Sequence, residues 1–80
     1  MGRYQFMTGG DLTERWVYDG SGRIIYWGEA KAGTADAAPN WRIRIFAYTG
    51  ASFSPDSKKW ASGTPNFDKV WDDRTTYSYT

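Results

Sequence analysis

The chain has 80 residues, a formal net charge of +1, five Trp, six Tyr and four Phe, but neither cysteine nor histidine. It leaves room for one hydrophobic core, and it lacks disulfides, the usual ligands of zinc, haem and iron–sulfur clusters, and histidine-based catalysis. Its near-neutral charge predicts no long-range attraction to DNA or to an anionic membrane, and its short apolar runs predict neither a membrane span nor a signal peptide.

The first thirteen residues show no sustained apolar period, although they include Tyr4 and Phe6. We expect residues 1–13 to form an extended arm that becomes ordered only against another surface. The rest of the chain, residues 14–80, is then a single small β domain.

The clearest local pattern in the chain is a β-hairpin. Residues 15–18 and 23–27 are rich in aromatic and β-branched side chains, and they flank Asp-Gly-Ser-Gly at 19–22, which suits a reversing turn. Trp16 and Tyr18 share one face of its first strand, because side chains alternate along a strand.

Residues 28–40, with the sequence GEAKAGTADAAPN, predict a long loop that is either a connector or ordered by a partner. Residues 41–48 then alternate and predict a central strand with one dry face. The dry face carries Trp41, Ile43, Ile45 and Ala47, and the other face carries Arg42, Arg44, Phe46 and Tyr48.

The last third of the chain predicts three short elements. Residues 58–61 form a candidate strand, and Phe67, Val70 and Trp71 follow with helical spacing. Residues 75–80 alternate Thr and Tyr, which is typical of a final strand. The sequence therefore predicts a mostly β fold, a small antiparallel meander or partly open barrel of about five strands, with one short helical turn near residues 66–72.

Nothing in the carboxylates predicts catalysis. Most Asp and Glu residues occupy turn-like positions, and the adjacent Asp72 and Asp73 cannot point to one face as a hydrolytic pair. The turn at 19–22 lacks both the spacing of a calcium loop and the helix that follows a dinucleotide motif. We expect a protein that is not an enzyme and that needs no cofactor and no metal.

Two binding hypotheses rest on the aromatic residues. Arg42, Arg44, Phe46 and Tyr48 on one strand face are typical of a platform for single-stranded nucleic acid, although the neutral charge makes that partner unlikely. The five Trp residues are also suited to stacking on sugars, as in carbohydrate-binding modules. Their even spacing, one per predicted element, favours core positions, because a sugar platform clusters several rings on one exposed face.

Three separated segments together resemble short proteins of tailed bacteriophages. They are residues 26–30 (YWGEA) followed by Gly33-Thr34, residues 41–45 (WRIRI), and residues 66–74 (NFDKVWDDR) leading into Tyr77-Ser78-Tyr79. The resemblance covers residues 24–80 and includes no catalytic motif, so it transfers no functional residue.

The resemblance implies a virion component, either a capsid decoration (cement) protein or a small subunit of the neck, tail or baseplate. Its partners would be major capsid, neck or tail subunits and copies of itself. Interfaces favour Tyr, Trp and Arg. We expect the contacts at Tyr4, Phe6, Phe46, Tyr48, Arg42, Arg44, Tyr77 and Tyr79.

Overall fold

Four antiparallel strands pair in chain order to form one open sheet. The computed structural model describes residues 11–80, and its strands are β1 (Leu12–Tyr18), β2 (Ile24–Lys31), β3 (Arg42–Ala47) and β4 (Ser57–Trp60). A 3₁₀ helix follows at Trp71–Thr76. No helix within this part of the chain is long and apolar enough to cross a membrane. The predicted fold class, a mostly β antiparallel meander with one short helical turn, is confirmed.

The C-terminal segment differs in detail from the prediction. The tail joins the sheet only through an isolated bridge between Ala61 and Tyr79, so four strands form where about five were expected. The helical turn begins at Trp71 because Lys69 is held in an extended bridge with Trp41, with backbone hydrogen bonds of 2.9 and 2.8 Å. A residue paired in this way cannot also belong to a helix.

β1 and β2 form the predicted hairpin, and Asp19 organises its turn. The Asp19 carboxylate accepts hydrogen bonds from the backbone N–H of Ser21 at 2.8 Å and of Arg23 at 3.0 Å. It also pairs with Nε of Arg23 at 2.8 Å. The register of the hairpin shifts between Val17 and Tyr18, which indicates a β-bulge.

β1 and β2 both include residues that the sequence predicts as arm or loop. The loop prediction for residues 28–40 is wrong for the first four residues, which complete β2. Two of them, Gly28 and Ala30, are small for packing reasons, because they lie buried on the sheet. β1 begins at Leu12, so the last two residues of the predicted arm 1–13 belong to the sheet. Tyr4 and Phe6 lie outside the described residues.

The core lies against one face of the sheet and is centred on two tryptophans. Trp41 and Ile43 are fully buried, as predicted for the dry face of β3, and Trp71 packs beside them. The prediction is wrong for the end of the strand, because Ile45 is half-buried and Ala47 is exposed. The centroids of the Trp41 and Trp71 rings are 6.0 Å apart. The indole N–H of Trp41 donates to the carbonyl of Ala35 at 2.9 Å, so the ring is buried without an unsatisfied donor.

An alanine at position 28 should destabilise the fold. A Cβ on Gly28 would lie 2.5 Å from Cε3 and 2.6 Å from Cζ3 of Trp71. Because the Trp71 ring is buried, it can retreat only by disturbing the core, and we expect Gly28→Ala to lower the free energy of unfolding by about 1–3 kcal/mol. Urea denaturation followed by circular dichroism measures this. A Cβ on Gly20 meets nothing within 4 Å, so Gly20→Ala is the matched control. Equal stabilities for the two variants would contradict the packing of Trp71 on Gly28.

Ionisation of Asp19 in the turn should make the stability of the fold depend on pH in the acid range. The hydrogen bond from the Arg23 backbone, helped by the Arg23 side chain and the Ser21 N–H and opposed by partial desolvation, holds the pKa of the Asp19 carboxyl below its ordinary value of 3.8. Since the folded pKa is the lower one, the ionised carboxyl stabilises the fold above pH 3.8. That contribution is lost as the pH falls through the folded pKa. We expect an NMR titration midpoint for Asp19 below 3.8, and Asp19→Asn should remove this acid dependence. A midpoint at or above 3.8 would be inconsistent with the turn geometry.

Candidate functional site

The face of the sheet opposite the core carries a row of three tryptophans and one arginine. Trp16 pairs with Trp27, Trp27 with Arg44, and Arg44 with Trp60. Directly paired residues on neighbouring strands point to the same face, so these four side chains cross the whole sheet side by side. We call Trp16, Trp27, Arg44 and Trp60 the tryptophan row.

Contacts along the tryptophan row are close. The ring centroids of Trp16 and Trp27 are 6.2 Å apart, and those of Trp27 and Trp60 are 6.5 Å apart, both pairs tilted by 55°. The Arg44 guanidinium lies 5.0 Å from the Trp27 centroid and 4.3 Å from the Trp60 centroid. Both distances fall within the roughly 6 Å over which a cation is attracted to an aromatic face. The two rings therefore fix the position of this cation.

Arg42, which lies beside the row on the same face, is held by an ion pair and by aromatic rings. The Glu29 carboxylate accepts hydrogen bonds from Nε of Arg42 at 2.8 Å and from its Nη2. The Arg42 guanidinium also lies 4.5 Å from the Phe67 centroid and 5.7 Å from the Trp60 centroid. Its charge is thus neutralised within the protein.

Arg44 differs from the other arginines of the described chain because it has no hydrogen-bond acceptor there. Arg15, Arg23 and Arg42 each pair with a carboxylate, and Arg74 donates to the Trp71 carbonyl. The Arg44 guanidinium makes no hydrogen bond or ion pair with residues 11–80, and its Nε is buried without a partner. The guanidinium is therefore attracted to ring faces while its N–H groups have no acceptor from this part of the chain.

A shallow cleft of about 240 Å³ opens on the row, lined by Glu14, Trp16, Trp27, Arg44 and Phe46. Trp16 is 44% exposed, and Glu14 is exposed with a carboxylate that contacts no other residue of the described chain by ion pair or hydrogen bond. The cleft thus combines an apolar floor of rings with one cation and one carboxylate.

The tryptophans are divided between the two faces of the sheet. Their even spacing predicts core positions for all five, and this is wrong for Trp16, Trp27 and Trp60, since only Trp41 and Trp71 are buried. One Trp per element says nothing about the face that each ring occupies. The pairing of the strands decides this, and it brings three rings together on one surface.

The residues predicted to contact partners have different surroundings. Arg44 and Phe46 line the cleft, and Arg42 lies beside it in its ion pair. Tyr4 and Phe6 fall outside the described residues. The structure thus brings three of the eight to one face.

The other three predicted contact residues have hydroxyl groups that bond within the fold. Tyr48 donates to the Ile24 carbonyl at 2.8 Å, the Tyr77 oxygen accepts from the Val70 N–H at 2.8 Å, and Tyr79 donates to the Arg74 carbonyl at 2.6 Å. Tyr77 and Tyr79 also pack against the core, and burial raises the pKa of the Tyr79 hydroxyl. Contacts between these tyrosines and a neighbouring subunit stay a prediction.

The charged groups at the described surface do not gather into a metal site. Residues 11–80 hold no group of three or more His, Cys, Asp or Glu side chains placed to bind a metal ion. The cleft can stack its rings on a flat ligand, donate hydrogen bonds from Arg44 and accept hydrogen bonds at Glu14.

Collisional quenching provides a direct check on the outward position of the tryptophan row. Trp16 is the most exposed indole, Trp27 and Trp60 are half-buried, and Trp41 and Trp71 are buried. We expect acrylamide to quench the wild type mainly through Trp16, so Trp16→Phe should lower the Stern–Volmer slope. The control Trp41→Phe removes a buried emitter and should leave the slope unchanged or higher. An unchanged Stern–Volmer slope for Trp16→Phe would contradict the exposed position of the Trp16 ring.

Comparison of the chain with protein-family models, with curated protein sequences and with solved structures finds no match. The resemblance to bacteriophage proteins therefore rests on the sequence segments named above. The interpretation of the cleft and of the sheet edges rests on the geometry of this chain.

Proposed function

We propose that this chain is a non-enzymatic structural protein of a tailed-bacteriophage particle that works through contacts with neighbouring subunits. The resemblance of residues 24–80 supports the phage assignment. The observation that supports the mode of action is the open outer edge of β1, which is suited to receiving a strand from another chain.

β1 has seven residues, and no strand lies beyond it in the described chain. The N–H of Ala32 donates to the carbonyl of Asp11, so the alternation of an antiparallel ladder directs the backbone groups of Leu12, Glu14 and Trp16 away from β2. Apart from the Glu14 carbonyl, which accepts a hydrogen bond from Nη1 of Arg15 at 3.0 Å, these groups have no partner among residues 11–80. Unpaired N–H and C=O groups along an edge form a template on which an added strand can pair.

The opposite edge of the sheet is protected. β4 has only four residues, and two of them are Lys58 and Lys59. The end of the chain also covers it, because the N–H of Thr80 donates to the Trp60 carbonyl at 3.3 Å. Short strands, lysines and covering segments are ways in which proteins prevent edge pairing. β1 is longer than β4, and no segment of residues 11–80 covers its outer edge, which favours addition of a partner strand at β1.

Two partners fit an open β1 edge. A second copy can pair its own β1 in the antiparallel sense, which closes a symmetric dimer. A strand from a capsid, neck or tail subunit can instead attach this chain to the particle. Many identical copies would then hold together even where each contact is weak.

The surface charges favour this proposal over binding of single-stranded nucleic acid. Arg42 is already paired with Glu29, and Glu14 adds a second carboxylate to the same face. A phosphate backbone would meet two cations that make no ion pair within residues 11–80, Arg44 and the exposed Lys58, beside the Glu14 carboxylate, and a net charge of +1 provides no wider attraction.

Particles purified from infected cells test the proposal. We expect mass spectrometry to find this chain in them at a fixed ratio to the major capsid protein, and electron microscopy to show its density. Hundreds of copies would indicate a capsid role, and a handful would indicate the neck or tail. Particles with neither its peptides nor its density would rule out a virion role.

Substitutions at Leu12 test the mode of attachment. Leu12→Pro removes an outward N–H at the β1 edge, whereas Leu12→Ala shortens the same side chain and retains that N–H. If β1 receives a strand, particles assembled with Leu12→Pro should contain far less of the chain than particles assembled with Leu12→Ala. Circular dichroism of the two purified variants checks that both fold. Equal incorporation of the two folded variants would show that attachment does not use this edge.

A further inference from the structure

We infer that the cleft on the tryptophan row binds one sugar ring of a glycan. A pyranose ring has C–H groups on its flat faces and hydroxyl groups around its rim. It therefore needs an apolar platform with hydrogen-bonding groups beside it. This inference goes beyond the proposed structural role and does not depend on it.

The platform is formed by Trp16 and Trp27, which are paired across β1 and β2. Indole is a large apolar surface, and at a sheet face its position is fixed by the strands beneath it. The Trp27 ring is further held by the Arg44 guanidinium at 5.0 Å. A ligand that stacks here meets side chains already in place, which reduces the entropy lost on binding.

The polar groups beside the platform are one donor and one acceptor. The Arg44 Nη groups and the Glu14 carboxylate make no hydrogen bond or ion pair within residues 11–80, and both residues line the cleft. Strand spacing and residue rise place their backbones about 12 Å apart, with Trp27 between them. Each sugar hydroxyl both donates and accepts a hydrogen bond, so a ring on the platform can satisfy Arg44 on one side and Glu14 on the other.

The size of the cleft sets the size of the ligand. Its volume of about 240 Å³ lies below the roughly 300–1,000 Å³ of pockets that enclose drug-sized molecules. One ring fits, and the open surface lets further units of a glycan continue outside the cleft. The row itself continues past Arg44 to Trp60, which lies on the same face.

The same geometry disfavours the other classes of partner. The Glu14 carboxylate, which lines the cleft, would repel a phosphate group placed there, whereas Glu29 is already paired with Arg42. A protein interface of standard size involves about 20–30 residues on each side, whereas five residues line this cleft. A neutral ligand with many hydroxyl groups meets neither objection.

Titration of the purified chain tests the inference. The probes are methyl glycosides of glucose, galactose, mannose and N-acetylglucosamine, together with dextran and a lipopolysaccharide core oligosaccharide. With at least one of them we expect a saturable shift in tryptophan emission, confirmed by calorimetry, with a Kd on the order of 1 mM for a single ring. No saturable response to any of these saccharides would overturn the inference.

Three substitutions assign the binding to the cleft. Trp16→Ala, Arg44→Gln and Glu14→Gln should each weaken binding about tenfold or more. Phe53→Ala should leave it unchanged, because Phe53 is 67% exposed and does not line the cleft. Trp16 and Glu14 are exposed, so these two variants keep the test valid if Arg44→Gln fails to fold. Equal binding by Trp16→Ala and Phe53→Ala would overturn the inference, as would a response to oligothymidine or to an acidic peptide in place of saccharides.

These results are separable from those on the proposed function. Saccharide binding by a chain absent from particles would support the cleft and contradict the virion role. A chain that is present in particles but binds no saccharide would support the virion role and contradict saccharide binding at the cleft.

Discussion

The core of this protein depends on the close approach of a tryptophan ring to bare backbone at Gly28. Trp71 lies where a Cβ at that position would be, and Trp41 packs beside it with centroids 6.0 Å apart. Two such rings, each able to bury about 150–250 Å², replace the branched aliphatic residues that the composition lacks. The bridge between Trp41 and Lys69 returns the chain over the sheet, so that the 3₁₀ helix begins with Trp71 pointing inward. The lack of a side chain at Gly28 therefore positions the whole C-terminal segment.

The opposite face of the sheet also carries tryptophan rings, but there they are only partly buried. It has no second layer within the described chain, so its rings cannot be buried by other rings alone. Arg44 lies between Trp27 and Trp60, and Arg42 lies over Phe67 while pairing with Glu29. Arginine covers an aromatic face with its own apolar stem and keeps a charged group at the surface. A sheet face that is rich in tryptophan thus stays compatible with water, which explains why two outward-facing positions of β3 carry arginine, Arg42 and Arg44.

Alternation along single strands was enough to predict the hairpin, the central strand and the mostly β class, because side-chain direction along a strand is a local property. The face on which each tryptophan lies was not predictable in this way. It depends on register, and the bulge between Val17 and Tyr18 shifts the register that the turn at 19–22 alone would set. The prediction of a loop at residues 28–31 failed for a related reason. Glycine and alanine suggest a loop when they are considered alone, whereas here they leave room for rings that arrive from residues 41 and 71, distant in the chain.

The open edge and the tryptophan row face in different directions, and this matters for how one small domain can serve two partners. Edge pairing at β1 uses backbone groups that lie in the plane of the sheet, while the row projects its side chains perpendicular to that plane. Trp16 belongs to both features, since its backbone faces the edge and its ring faces the cleft. A strand added at β1 would lie beside Trp16 and extend the sheet without covering the row. It would also restrict the backbone that carries Trp16 and Glu14. If the chain attaches through β1 as proposed, attachment should therefore make the cleft more rigid, so that it and the proposed saccharide binding would support one another.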